Sequence, residues 1–111
     1  MQFEKIDKGE TCVLILHENI EFYGGLNLKK ALDEILKEKY KHIIIEMEKV
    51  IKIDSFGLGM LLTEYHTLKK EGAKLSFVKV NEKVEVLLKK LLRIDVSNFF
   101  PSIEEALQRT S

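Results

Sequence analysis

The chain has 111 residues, 45% of them hydrophobic and 32% charged, with one proline and one cysteine. That size and balance describe a globular chain with a core of its own, not a disordered segment or a disulfide-built scaffold. Formal net charge is zero, 18 basic residues against 18 acidic, and the lysines alternate with glutamates in "LKEKYKH" and "EMEKVIK". No basic stripe for nucleic acid emerges from such interleaving.

"QFEKI" (residues 2–6) and "TCVLILH" (residues 11–17) flank the turn-type cluster "DKGE" and are expected to form a β-hairpin. The opening residues lack the hydrophobic core of a signal peptide, and no apolar run reaches the length of a membrane span. A soluble, cytoplasmic protein without membrane insertion is therefore expected. Cys12, inside an apolar run, is expected to be a small core residue. The preference for Lys and Glu over Arg and Asp is the bias of warm-growing sources.

"ENIEFYGG" is expected to be a loop, with helical spacing starting at Leu26 and placing Leu28, Ala31, Leu32, Ile35 and Leu36 on one face. "HIIIEM" has the composition of a strand buried on both sides. Residues 56–71 then carry Leu58, Leu61, Leu62, Tyr65 and Leu68 at helical spacing, ended by Gly72. "KLSFVKV" is a strand, and Asn81 caps a helix bearing Val84, Leu87, Leu88, Leu91 and Leu92. "SNFF" is a further strand candidate, and "SIEEAL" is a capping box between Ser102 and Glu105. The expected order is β-β-α-β-α-β-α-β-α: one α/β domain over residues 1–111, with four helices on a mixed, mostly parallel sheet.

Function in open α/β sheets collects where strands end and helices begin, and Asp54–Ser55 lies at such a junction. Either residue could simply cap the helix. A cap does not explain Gly57 and Gly59 in the first turns, each costing about 1 kcal/mol relative to alanine. Glycines there imply close approach of another backbone or a ligand.

Serine catalysis needs an oriented base. His17, His42 and His66 have no such placement, and all three are expected at the surface or its boundary. The glycines follow Ser55 instead of bracketing it, so the nucleophile elbow is missing. "SFGLGM" lacks both the phosphate loop and the full dinucleotide fingerprint, and no paired ligands suit a metal. No enzyme activity, cofactor or metal is expected. A phosphate on Ser55, by contrast, would face the free amides and positive dipole end of a helix. The domain could then carry the charge without unfolding.

The run from "HIIIEMEKVIKIDSFGLGMLL" through "GAKLSFVKV", "VEVLLKK" and "FFPSIEEAL", residues 42–107, resembles a STAS domain of the anti-sigma factor antagonist type. In that family a buried strand leads into D-S-[SA]-G-L-G and a helix. The resemblance implies a bacterial, cytoplasmic binding module in transcription regulation. Its phosphoacceptor would be Ser55, modified by a partner that is both anti-sigma factor and serine kinase with an ATPase-type domain, and reset by a serine phosphatase. Asp54, Ser55, Phe56, Gly57, Leu58 and Gly59, with Phe22 and Tyr23 of the preceding loop, would form the partner-binding surface.

Three departures stand out. Phe56 replaces a small residue and is either an interface anchor or packed inward. Glu46 replaces an aspartate, and "HENIEFYGGLN" lacks the family's G-x-L-D. The alternative is a constitutive STAS scaffold or accessory subunit of a signalling or lipid-transport complex, with Phe22, Tyr23 and Phe56 as a permanent apolar contact.

Overall fold

The computed structural model describes residues 3–108. Two antiparallel strands, β1 (Phe3–Lys8) and β2 (Thr11–Leu16), open the chain, and Gly9 turns between them at φ +73°. Gln2, expected in the first strand, lies outside the described residues. Helix α1 (Tyr23–Lys37), strand β3 (His42–Glu46), helix α2 (Ser55–Lys70), strand β4 (Lys74–Val78), helix α3 (Glu82–Leu91), strand β5 (Phe99–Phe100) and helix α4 (Ile103–Gln108) follow. The sheet order is β1-β2-β3-β4-β5, parallel from β2 onward. The expected alternation and mixed sheet are observed.

Each parallel strand pairs with the next, so right-handed crossovers carry α1, α2 and α3 to one face. There Leu28, Leu32, Ile35, Leu61, Leu68, Val84 and Leu88 meet Cys12, Leu14, Ile43, Ile45, Leu75 and Phe77 of the strands. The other face is narrower: Val13, Ile44 and Val78 are covered by Ala106, Ile103 and Leu107 of α4. Covered on both sides, β3 is buried at every residue, as its β-branched run implies. Cys12 is fully buried, and burial pushes its thiol up to about 11.

Caps follow the local chemistry. Asn81 Oδ1 accepts from the Lys83 amide, and Ser102 Oγ accepts from the Glu105 amide while its hydroxyl reaches the Glu105 carboxylate. Gly72 closes α2 at φ +79°.

Four expectations are corrected. Helix α1 begins at Tyr23, not Leu26, so Gly24 and Gly25 are helical. In "SNFF" only Phe99–Phe100 pairs with β4, because Asp95 caps a 3₁₀ turn over Val96–Asn98. Leu91, the last residue of α3, is exposed, and the next residue, Leu92, takes the buried place instead. His42 is buried, its Nε2 2.7 Å from the Ser76 hydroxyl on the α4 side of the sheet. Burial lowers its pKa to about 4, so it is a neutral core histidine.

Candidate functional site

The carboxyl ends of β2 and β3 are tied together before their helices start. Ile20 N donates to Lys52 O at 3.1 Å, and Asp54 N donates to Ile20 O at 3.1 Å, so the two loops run as a short parallel bridge. Asn19 Oδ1 accepts from the amides of Ile51 and Lys52 at 2.8 and 3.1 Å. These crosslinks satisfy backbone groups that a loop this close to the core would otherwise strand.

Asp54 is the hub. One carboxylate oxygen accepts from Gly57 N at 2.8 Å, the N-cap bond of α2, and the other from Phe22 N at 2.9 Å, just before α1. The Phe22 amide first, and the Gly57 amide next, hold the Asp54 carboxyl below its usual range. Phe22 adopts φ 27°, a region uncommon for a bulky residue. Its bond to Asp54 and its edge-on contact with Tyr23, ring centroids 4.7 Å apart, accompany that conformation.

Ser55 is the first helical residue and exposed. The capping role falls to Asp54, leaving the serine hydroxyl outside the cap. Phe56 (40% exposed) lines the same groove as Ser55, its ring 6.1 Å from that of Phe22 (54%), which in turn meets Tyr23 (73%). Phe56 packs inward and shows outward at once. A Cβ on Gly25 would lie 3.0 Å from its ring, while much of the ring stays in solvent. The expected site residues Phe22, Tyr23, Asp54, Ser55 and Phe56 are thus brought together.

Two expected residues behave otherwise. Gly57 is buried, and a Cβ there would lie 2.6 Å from Ile20 Cγ2 and 2.7 Å from Ile20 O. The close approach that its glycine permits is internal, so Gly57 offers no docking surface. Gly59 is exposed with nothing within 4 Å of a Cβ, so no backbone crowds it. Leu58 is half-buried against the core. A shallow, largely apolar groove continues from the serine along α2, lined by Lys29, Ser55, Phe56, Gly59, Met60 and Thr63.

Sequence reasoning passed over Asn19, Ile20 and a buried acid, Glu64. Glu64 was detectable: it falls on the same face as Leu61 and Leu68, where a carboxylate is anomalous. It hydrogen bonds Asp33 of α1, and burial, then Asp33, push its pKa up to about 7. Glu46, the other departure noted above, turns its carboxylate back to the Glu48 amide at 3.0 Å.

The STAS-domain family profile matches residues 2–106. A Thermotoga maritima protein named as a candidate anti-sigma factor antagonist is 32% identical over 101 residues, covering 89% of this chain and 88% of the relative. A crystal structure of a protein so described from that organism superimposes with TM-score 0.84, at 27% identity over 96% of this chain and 92% of the other. SpoIIAA, an anti-sigma factor antagonist and cell fate determinant of Bacillus, solved in its phosphorylated form, shares the fold with TM-score 0.78 at 18% identity over 99% and 100% of the two chains. No helix among the described residues is long and apolar enough to cross a membrane.

Proposed function

The chain belongs to the STAS-domain family, and from that premise we propose an anti-sigma factor antagonist-type binding protein whose partner affinity is switched by phosphorylation of Ser55. The partner is a serine kinase that doubles as anti-sigma factor through an ATPase-type domain, and a serine phosphatase resets the cycle. One observation carries the reading: Asp54 does the capping, so an exposed serine opens α2 with its hydroxyl outside the cap.

The physical logic is asymmetric. A phosphate at the first turn is favoured by the helix dipole by about 0.3–1 kcal/mol, so the fold tolerates it. The same charge set into an apolar docking surface costs its desolvation unless the partner supplies a cation. Since about 1.4 kcal/mol is tenfold in affinity, a modest mismatch suffices to release the complex. Phe22, Tyr23 and Phe56 supply the apolar contact, with Leu58 and Gly59 at its border. The fold is neutral between this and a constitutive scaffold, because a sulfate transporter family protein of Wolinella succinogenes also shares it, TM-score 0.80 at 22% identity over 95% of this chain and 88% of that one.

Capture from a source lysate on wild-type and Ser55→Asp baits separates the two. Retention of a serine-kinase-type ATPase by wild type, its loss on Ser55→Asp and mass-spectrometric phosphate on Ser55 support the switch. Equal retention on both baits turns the assignment to the scaffold.

A further inference from the structure

The seam between α1 and α2 carries a charge network that the switch at Ser55 leaves unused. The two helices run side by side in one direction. Gly25 lies against Phe56, Lys29 shares the groove with Ser55 and Thr63, and Asp33 meets Glu64. Lys29 Nζ donates to Asp33 Oδ2 at 2.8 Å, with both side chains about half exposed. Behind them Glu64 is only 3% exposed.

The electrostatics of the trio are polarised. Lys29 first, with Glu64 and then Lys37 adding, holds the Asp33 carboxyl low, while burial and Asp33 hold the Glu64 carboxyl near 7. Below about pH 7 Glu64 therefore carries the proton and donates it to the Asp33 carboxylate, which also accepts from Lys29. Lys29, Asp33 and Lys37 of α1 are the charged groups that act on this pair from the facing helix.

We propose that Lys29 is the internal counter-ion of a phosphate on Ser55, exchanged between that phosphate and the Asp33 carboxylate, so that modification at the start of α2 is felt by the Asp33–Glu64 pair inside the seam. The inference rests on the Ser55 assignment above and adds a charge path from that residue into the fold.

Three physical points support the exchange. Helical Cα–Cβ bonds tilt toward the N-terminus, so the stem of Lys29 sets out toward the end of the seam where Ser55 lies. The lysine stem is flexible and its ammonium a compact point charge, suited to moving between two anions. The Lys29–Asp33 pair is half exposed and hence weak, whereas a phosphate brings about −1.5 to −2 charge at neutral pH. When Lys29 leaves, Asp33 keeps the Glu64 proton as a hydrogen-bond partner and Lys37 only as a nearby charge, so that proton is then held more firmly. Linkage makes the effect reciprocal: ionising Glu64 draws Lys29 back and weakens its hold on the phosphate.

The test installs phosphoserine at position 55 of the full chain during synthesis, so that no kinase is needed. The backgrounds are wild type, Lys29→Met and Lys29→Arg. Phosphorus NMR follows the second ionisation of the phosphate, and carbon NMR follows the Glu64 carboxyl. The expected result is a phosphate pKa about half a unit or more lower with Lys29 than with Lys29→Met, restored by Lys29→Arg. The Glu64 pKa should rise when the phosphate is installed, and by less in Lys29→Met. Superimposable phosphate titrations in wild type and Lys29→Met overturn the proposal, as does a Glu64 pKa indifferent to the phosphate. Lys29→Gln, neutral at the same half-exposed position, supplies the charge-free comparison if Lys29→Met folds poorly, and the Glu64 titration with and without the phosphate needs no variant at all. A flat result here, combined with partner loss on Ser55→Asp, removes the Lys29 path alone and leaves the switch standing.

Discussion

Asp54 and Glu64 are two carboxylic acids on one helix, handled in opposite ways. Asp54, at the start of α2, faces two backbone amides and stays ionised. Glu64, in the middle, faces the sheet-side packing and α1, and holds its proton to about pH 7. The difference is one of solvation. Free amides at a helix end replace water around a charge, whereas mid-helix amides are already bonded and offer nothing. The end of α2 is thus built to keep a negative charge in place, and its middle is built to respond to one.

The largest effect that would break this contrast is steric. Gly57→Val should destabilise the fold by roughly 3 kcal/mol or more, because its branched side chain would meet Ile20 backbone and side chain below 3 Å. Denaturant unfolding measures it, and a loss under 1 kcal/mol would show that α2 can shift without cost. Such a shift would also move the Asp54 cap off both amides.

Next comes the pH response of Glu64. Its folded pKa of about 7 lies above the ordinary value of 4.5, so the folded state binds more protons between these limits. Its contribution to stability is complete below about pH 4.5 and lost as pH rises through 7, on the order of 2 kcal/mol. Glu64→Leu should remove that slope and leave the variant relatively more stable at pH 8 than at pH 5, compared with wild type. Unfolding curves at the two pH values decide it, and parallel behaviour would mean that Glu64 titrates normally.

Asp54→Ala should cost about 1–2 kcal/mol, the loss of an N-cap, and should also free the Phe22 amide. Hydrogen exchange at Phe22 and Gly57 should accelerate together, since one carboxylate holds both. Protection lost at Gly57 alone would mean that Phe22 is held by its ring contacts. The smallest effect is expected at Ser55→Ala, within about 0.5 kcal/mol, because the residue is exposed and its neighbour does the capping. A larger loss would return Ser55 to the role of a helix cap.

Much of this was legible beforehand because it rests on local chemistry. Periodicity placed α2 within a residue of its observed start, and Ser102 with Glu105 marked their own cap. The start of α1 was not legible, because "EFYGG" has loop composition, and its last three residues, Tyr23 to Gly25, open the helix just after Asp54, distant in sequence, takes the Phe22 amide. His42 was misplaced for a related reason. A histidine at a strand start is ordinarily a boundary residue, and here the Ser76 hydroxyl on the neighbouring strand meets Nε2 while Nδ1 stays buried without a partner in a neutral ring.

The sequence by itself determined the element order, the parallel sheet and the position of Asp54–Ser55 at a strand–helix junction, since hydrophobic period and capping preferences act over a few residues. Tertiary structure alone decided which glycine is crowded, which acid is protonated and which aromatic rings meet beside the start of α2. Each of those depends on what the other loop or helix brings within about 3–4 Å, and van der Waals contact and desolvation act only over that range.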